Sequence, residues 1–333
     1  MKQNKKNPRL YLAAFLGIAV IAALLHFSYN GFIKPDIQRK NHKITMITKS
    51  TDSQFFRSVF SGGNAAATEY NVELVTEGPE DEEDYETQNR MIRDAVSGGT
   101  DAIVLSAVDY NANAEAVNEA AGSGIPVVII DSDVNSKAVS CRISTDNYEA
   151  GRMTAEAVEL VTEPEAELNI GIVNFDKNTE NGSQREAGFK DAVSGDKRVK
   201  SIETTYVLST IDDANRGTKE LLSLNPDINV IVTFNEWTSL GVGRAIDDLG
   251  SKDSVAVIAF DSNEESVNML ETGVVDALIV QNPYAMGYLG VESAYKLIEN
   301  EQLESTDVDT ETTIVTAENM FKPEYQKILF KYE

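Results

Sequence analysis

A strand–helix–strand pattern that occurs twice constrains the fold of this chain more than any other feature. In the first copy, 100–131, apolar runs at 102–105 and 127–130 flank an alanine-rich segment whose apolar residues recur at helical spacing. Both runs lack polar alternation, which is typical of parallel strands that are covered on both faces. The segment is therefore predicted to be a βαβ unit whose second strand ends at Asp131.

The second copy, 229–261, repeats the order of strand, polar loop, helix, glycine and strand, and it also ends in an aspartate. Even the following residue is shared, since Ser132 follows Asp131 and Ser262 follows Asp261. In open α/β sheets, ligands bind beyond the carboxyl ends of the strands. We therefore expect two similar lobes that present these carboxylates toward one another. The alternative is a chance pairing of two ordinary α/β units.

The N-terminus has the pattern of a membrane signal. Residues 1–9 contain four basic and no acidic side chains, and residues 10–27 contain no charge. That run is long enough to span a bilayer, and its basic flank indicates an inside N-terminus. We expect a cytoplasmic flank (1–9), a transmembrane signal anchor (10–27), a tether (28–42) and an extracytoplasmic remainder, in a single-pass protein of the cell membrane. A cleaved signal peptide is the alternative, although no A-x-A site follows the run.

The charge balance excludes one class of partner. The chain carries 54 acidic and 29 basic residues, a net charge of −25, and such a surface repels nucleic-acid phosphates. The acidic run 77–86 is interpreted as a solvated surface that leads into a helix, not as a metal site. Cys141 is the single cysteine and lies in an apolar stretch, so it is predicted to be a buried thiol without a disulfide within the chain.

The sequence argues against an enzyme. The two histidines, His26 and His42, fall in the apolar run and in the tether, so no histidine acid, base or catalytic triad is expected. No phosphate-binding loop motif occurs, and no cofactor or metal ion is predicted. Asp131 and Asp261 could in principle hydrolyse a glycoside. Binding by two aspartates in a polar cage is the more plausible interpretation.

Several short motifs follow one another in a fixed order between His42 and the C-terminus. They are Phe55-Phe56, Ile125-Pro126 before Asp131, Asp146-Asn147 with Gly151, Arg185-x-x-Gly188-Phe189, Asn235 with Leu240-Gly241, Phe260-Asp261, and Gln281. In this order and spacing they resemble the type I periplasmic sugar-binding proteins, most closely the ribose-binding group.

The resemblance implies an α/β fold with two Rossmann-like lobes of the type I periplasmic binding protein class, joined by three crossovers. The crossovers would fall near 145–146, near 281 and near 308–312. The N-terminal lobe would then comprise 43–145 with 282–309, and the C-terminal lobe 146–281 with 310–333.

The residues that carry the resemblance also suit a sugar. Sugar hydroxyls donate and accept at once, so their site needs carboxylates, amides and an arginine fork. The candidates for these polar roles are Ser53, Asp131, Arg185, Asn235, Asp261 and Gln281. Phe55, Phe56 and Trp237 are candidates to pack on a sugar ring, and we expect one of the two phenylalanines to belong to the lobe core.

Three positions depart from the ribose-binding pattern. Ser53 stands where that group has an asparagine, two residues before the paired phenylalanines. Lys49 stands where that group has a small hydroxyl residue, and Ser132 stands where it has an arginine, which removes donors from the pocket. The resemblance nevertheless implies a protein that closes on a monosaccharide and delivers it to an ABC permease. The alternative is a membrane-tethered sensory co-receptor that reports ligand occupancy to a sensor kinase or chemoreceptor.

Overall fold

The structure, a computed structural model, describes residues 8–28 and 41–329. The chain divides into two compact units, 1–41 and 42–333, and α1 (Pro8–Ser28) belongs to the first. Among the described residues no helix meets the length and apolar content of a membrane span, so the predicted transmembrane anchor over 10–27 is not supported by the structure. Most of the predicted flank (1–9) and tether (28–42) lies outside the described residues.

The second unit contains two six-stranded sheets. The first sheet consists of β1 (Lys43–Ile47), β2 (Glu73–Glu77), β3 (Ala102–Leu105), β4 (Val127–Ile130), β5 (Cys141–Ser144) and β11 (Asp307–Asp309). Its strands are all parallel, in the order β11-β5-β4-β3-β1-β2. The helices that belong to it are α2 (Gln54–Tyr70), α3 (Tyr85–Ser97), α4 (Ala114–Gly122) and α10 (Pro283–Ile298). This sheet and its helices are called the first lobe.

The second lobe has the same layered design. Its strands are β6 (Leu168–Asn174), β7 (Val199–Tyr206), β8 (Val230–Thr233), β9 (Ala256–Phe260), β10 (Ala277–Val280) and β12 (Thr313–Thr316). They lie in the order β12-β10-β9-β8-β6-β7, and β12 alone is antiparallel to its neighbour. The helices are α5 (Asn147–Val161), α6 (Glu180–Val193), α7 (Ile211–Leu224), α8 (Glu236–Leu249), α9 (Glu264–Thr272) and α11 (Pro323–Leu329).

The chain passes between the lobes three times: after β5, after β10, and between β11 and β12. The second passage returns α10 to the first lobe, where it packs on α2 so closely that a Cβ at Gly287 would lie 1.9 Å from the carbonyl oxygen of Val59. The lobe bounds given above stay a prediction, because the compact units divide only at Asn41.

Both βαβ units occur where the sequence predicts them, and β3 and β4 have the predicted bounds. One helix begins in a polar segment: α6 starts at Glu180, within 176–183. The polar residues at the start of α6 have no apolar spacing, so the pattern gives no signal there. Both Asn181 and Gly182 are nevertheless buried, because Gly182 packs against Phe175 and Asn181 contacts Lys49 and Asp131 of the first lobe.

Candidate ligand-binding site

A small pocket with a cavity volume of about 30 Å³ lies between the lobes, at the carboxyl ends of strands from both sheets. All nine candidate residues line it: Ser53, Phe55, Phe56, Asp131, Arg185, Asn235, Trp237, Asp261 and Gln281. Five further residues that were not among the candidates complete the wall: Lys49, Glu82, Phe175, Asn181 and Glu236.

Asp131 and Asp261 occupy equivalent positions at the ends of β4 and β9. Both have left-handed backbone angles, with φ of +57° and +68°, which are unusual for residues other than glycine and often mark functional sites. The Ser106 hydroxyl donates to Oδ2 of Asp131 at 2.7 Å, and the Gln281 amide donates to Oδ1 of Asp261 at 2.6 Å. Burial raises the pKa of Asp261 to about 7, although the Arg185 charge opposes the shift.

Arg185 is 1% exposed and organises the second-lobe side of the pocket. Its guanidinium donates to Asn147 Oδ1 at 2.9 Å, to the Phe234 carbonyl at 2.6 Å and to Gln281 Oε1 at 2.6 Å. The guanidinium carbon also lies 4.6 Å from the centre of the Phe260 ring. The Arg185 guanidinium therefore fixes the Gln281 amide, and that amide in turn donates to Asp261, so the three side chains form one polar array.

Two glycines of the motifs explain how Arg185 reaches this position. A Cβ at Gly151 of α5 would lie 2.1 Å from the carbonyl oxygen of Arg185, and a Cβ at Gly188 of α6 would lie 2.0 Å from that of Tyr148. These distances are far below van der Waals contact, so only glycine permits α5 and α6 to pack this closely. The two glycines place the arginine beneath the pocket.

The aromatic residues serve both core and pocket. Phe55 and Phe56 both belong to the core of the first lobe and both line the pocket, with their rings edge-to-face at 5.2 Å. The sequence predicts only one of them in the core, whereas the structure places both there and both in the pocket wall. Phe175 and Trp237 contribute aromatic surface from the second lobe. Ring faces of this kind suit the apolar face of a sugar.

Two predicted polar residues have local structural roles as well. The Ser53 hydroxyl caps α2 by accepting from the Phe56 amide at 3.0 Å. Asn235 caps α8 in the same way through Thr238, and its amide nitrogen donates to the Ser209 hydroxyl at 2.7 Å. Capping uses acceptor capacity, so Ser53 offers chiefly its O–H to a ligand.

Lys49 places a buried cation in the pocket beside Asp131. Its ammonium is 3.3 Å from Asn181 Oδ1 and 3.8 Å from Asp131 Oδ2, and the side chain is 3% exposed. The Asn181 amide also donates to Asp131 at 3.2 Å. The position of Lys49 directly after the first strand was the available signal, since strand ends face the cleft. Its ammonium supplies hydrogen-bond donors to this side of the pocket.

The acidic run 77–86 is not wholly solvated, because Glu82 contacts side chains of the second lobe. Its carboxylate accepts from the Trp237 indole nitrogen at 3.2 Å and from the Ser209 hydroxyl at 2.8 Å. Burial raises its pKa to about 7, and the nearby Lys49 charge and the Ser209 hydrogen bond act against that shift. Within the described residues, no cluster of three or more His, Cys, Asp or Glu side chains could hold a metal ion.

A family model described as the periplasmic binding protein domain matches residues 44–302. The chain belongs to the periplasmic binding protein family. This binding protein is 27% identical over 286 residues to the D-ribose/D-allose-binding protein of Pseudomonas aeruginosa. The aligned region covers 83% of this chain and 89% of the relative. Family members bind solutes and do not transform them, so the protein is not an enzyme, and its binding domain is extracytoplasmic.

Solved structures agree with the assignment. A carbohydrate transporter solute-binding protein from Agrobacterium radiobacter, in complex with D-arabinose, is 30% identical with a TM-score of 0.84, over 88% of this chain and 100% of that one. A chain of the XylFII–LytSN complex is 26% identical with a TM-score of 0.77, over 84% of this binding protein and 99% of that chain.

Proposed function

We propose that this binding protein encloses a monosaccharide between its lobes and delivers it to an ABC-type sugar permease. The observation that carries the proposal is the polar array of Arg185, Gln281 and Asp261 opposite Asp131 and the aromatic wall of the first lobe. Guanidinium and ammonium groups donate, carboxylates accept and aromatic faces cover the ring, which together match a polyhydroxylated ring. The nine candidate residues are proposed as its contacts.

The charges of the pocket favour a neutral sugar over an acidic one. Four carboxylates line it, from Glu82, Asp131, Glu236 and Asp261, against the two cations Lys49 and Arg185. A phosphorylated sugar or a sugar acid would therefore meet more acidic than basic side chains, although Glu82 and Asp261, with pKa values of about 7, are only partly ionised at neutral pH. The similar proteins named above bind D-ribose, D-allose or D-arabinose, which supports a neutral pentose or hexose.

A second candidate is a sensory co-receptor that signals occupancy to a membrane partner. It is favoured by the similarity to a chain that forms the XylFII–LytSN complex. Transport and sensing share the same ligand and the same closing motion, so ligand binding does not separate them. Co-purification of the full chain with membrane proteins from its native host distinguishes a permease from a signalling partner.

We further propose that the apolar run 10–27 holds the protein at the membrane. Its support is the uncharged sequence behind a basic flank. Extraction of membranes with alkaline carbonate tests this proposal. An integral anchor leaves the protein in the pellet, and release of the full-length protein into the supernatant contradicts it.

The test of ligand class is a thermal-shift screen of the full chain against D-ribose, D-allose, D-arabinose, other pentoses and hexoses, and matched sugar acids and phosphates. A ligand at a hundred times its Kd adds about 2.7 kcal/mol of stability. We expect a neutral sugar to bind, and we expect Arg185→Ala to abolish that shift while Arg216→Ala, at a side chain that is 74% exposed, retains it. A panel without any shift would overturn the monosaccharide assignment.

A further inference from the structure

Glu236 lines the pocket and also makes a contact between the lobes through protein atoms alone. It is the first residue of α8 in the second lobe and is 6% exposed. Its two carboxylate oxygens accept from backbone amides of the first lobe, Gln54 N at 3.2 Å and Phe55 N at 2.9 Å. The Asn263 amide supports the carboxylate from within the second lobe at 3.0 Å.

These two amides belong to the first turn of α2, whose N–H groups have no partner within their own helix. The acceptors for the amides of this turn come from both lobes. The Ser53 hydroxyl of the first lobe accepts from the Phe56 amide, whereas the Glu236 carboxylate of the second lobe accepts from the Gln54 and Phe55 amides. A carboxylate is also the preferred charge at a helix N-terminus. Opening the cleft removes Glu236 from the amino end of α2.

In a second contact across the cleft, the acceptors belong to the first lobe and the donors to the second. Glu82 of the first lobe accepts from the Trp237 indole and the Ser209 hydroxyl of the second lobe, and Glu83 accepts from the Ser209 amide at 3.2 Å. Glu82 and Trp237 line both the ligand pocket and a larger outer groove. Their hydrogen bond therefore lies at the boundary between the pocket and the outside.

We propose that Glu236, together with the Glu82–Trp237 pair, is a closure device whose bonds between protein groups hold the lobes together over the ligand. Glu236 is a positioning residue, because the amides that it binds belong to the segment that carries Phe55 and Phe56 into the pocket. The proposal rests on the proposed function for its ligand, but the contacts themselves involve protein atoms alone.

The consequence concerns affinity. A ligand that binds only the closed form binds more weakly when part of the protein is open, because its apparent Kd rises as the closed fraction falls. Glu236 accepts two hydrogen bonds across the cleft, and each bond to a charged group changes Kd by about tenfold or more. Loss of both should thus weaken binding by about a hundredfold or more, mainly through faster dissociation.

The sequence provides a matched control. Glu236 follows the N-cap Asn235 as the first residue of α8, and Glu264 follows the N-cap Asn263 as the first residue of α9 in the same lobe. Glu264 is exposed. Glu236→Gln and Glu236→Ala should therefore act on closure, whereas Glu264→Gln changes the same local charge at a helix start and should not.

The experiment measures release of the sugar by stopped flow and the distance between the lobes by electron–electron resonance. Spin labels are attached at Glu115→Cys on α4 and Glu220→Cys on α7, both exposed, while the buried Cys141 stays unlabelled. D-Arabinose is the first probe, followed by whichever panel sugar the wild type binds. We expect both Glu236 variants to release it faster than Glu264→Gln and to shift the distances toward an open form, with Glu236→Ala the stronger.

Release rates and distances that match those of Glu264→Gln would overturn the proposal. So would a lower Tm of the Glu236 variants accompanied by an unchanged release rate and lobe distance, because that result describes a purely structural residue. If the wild type binds no sugar, the proposed function fails. The closure proposal is then tested by the lobe distances alone, compared without sugar between the Glu236 variants and Glu264→Gln.

Discussion

Replacing Gly151 should disable the ligand site through helix packing alone. The Cβ of Gly151→Ala would lie 2.1 Å from the carbonyl oxygen of Arg185, although ordinary contact begins at 3.4 Å. Close-packed interiors do not absorb such an overlap, so α5 and α6 must separate by roughly 1 Å. The bonds from Arg185 to the Phe234 carbonyl and to Gln281, each 2.6 Å long, would then stretch beyond hydrogen-bond length.

Two effects follow from this separation. Overpacking costs about 1–3 kcal/mol of the free energy of unfolding. Two charge-assisted hydrogen bonds at roughly 1.5–3 kcal/mol each contribute to the array that binds the ligand, so affinity should fall by at least about tenfold. Urea unfolding measures the first quantity, and calorimetric titration with the panel sugar measures the second.

The control is Gly122→Ala at the end of α4, where an added Cβ meets nothing within 4 Å. A glycine in a helix is less favourable than alanine by roughly 0.5–1 kcal/mol, so this variant should be slightly more stable and bind as the wild type does. Wild-type affinity in Gly151→Ala would refute the argument that close helix packing positions Arg185.

Three further predictions concern single side chains. Burial raises the pKa of Asp261 from 3.8 to about 7, so between these pH values the native state binds more protons than the unfolded state and the wild type loses stability as pH rises. Asp261→Asn lacks this proton, so its stability relative to wild type should increase from about pH 4 to about pH 8. An equal stability difference at both pH values in urea unfolding would contradict this. Lys49→Met removes the buried ammonium beside Asp131 and should weaken sugar binding by about tenfold in titrations, whereas Lys190→Met, at a lysine whose side chain is 41% exposed, should leave affinity unchanged. Cys141 is 1% exposed and burial raises the pKa of its thiol, so a thiol reagent should label the native protein only after denaturant is added; rapid labelling of the native protein would show that the strand opens.

Much of the site could be predicted because it depends on local pattern. Asp131 and Asp261 stand at the ends of strands that are recognisable from uninterrupted apolar runs, and parallel strands present their ends at one edge of a sheet. Arg185 and Gln281 required the resemblance to a family, because nothing in their own neighbourhood distinguishes them from surface residues. The structure brings all four together in one pocket.

Other features could not be predicted from pattern. Glu82 lies in a run of acidic residues that has the composition of a solvated surface, yet it faces the pocket because Trp237 and Ser209 of the other lobe approach it. Glu236 has the sequence context of an ordinary first-turn acid, which is favoured by its own helix dipole. Its bonds to Gln54 and Phe55 join residues that are far apart in the chain.

The sequence by itself thus determined the repeated βαβ units, the carboxylates at their ends and the absence of histidine chemistry, since these depend on periodicity and on residue type. Tertiary structure alone decided that Gly151 sets the position of Arg185, that Lys49 lies beside Asp131, and that Glu236 binds the opposite lobe. The physical reason is that hydrogen bonds and contact distances depend on how two folded lobes and their helices approach one another, and that approach is not encoded in any local stretch of the chain.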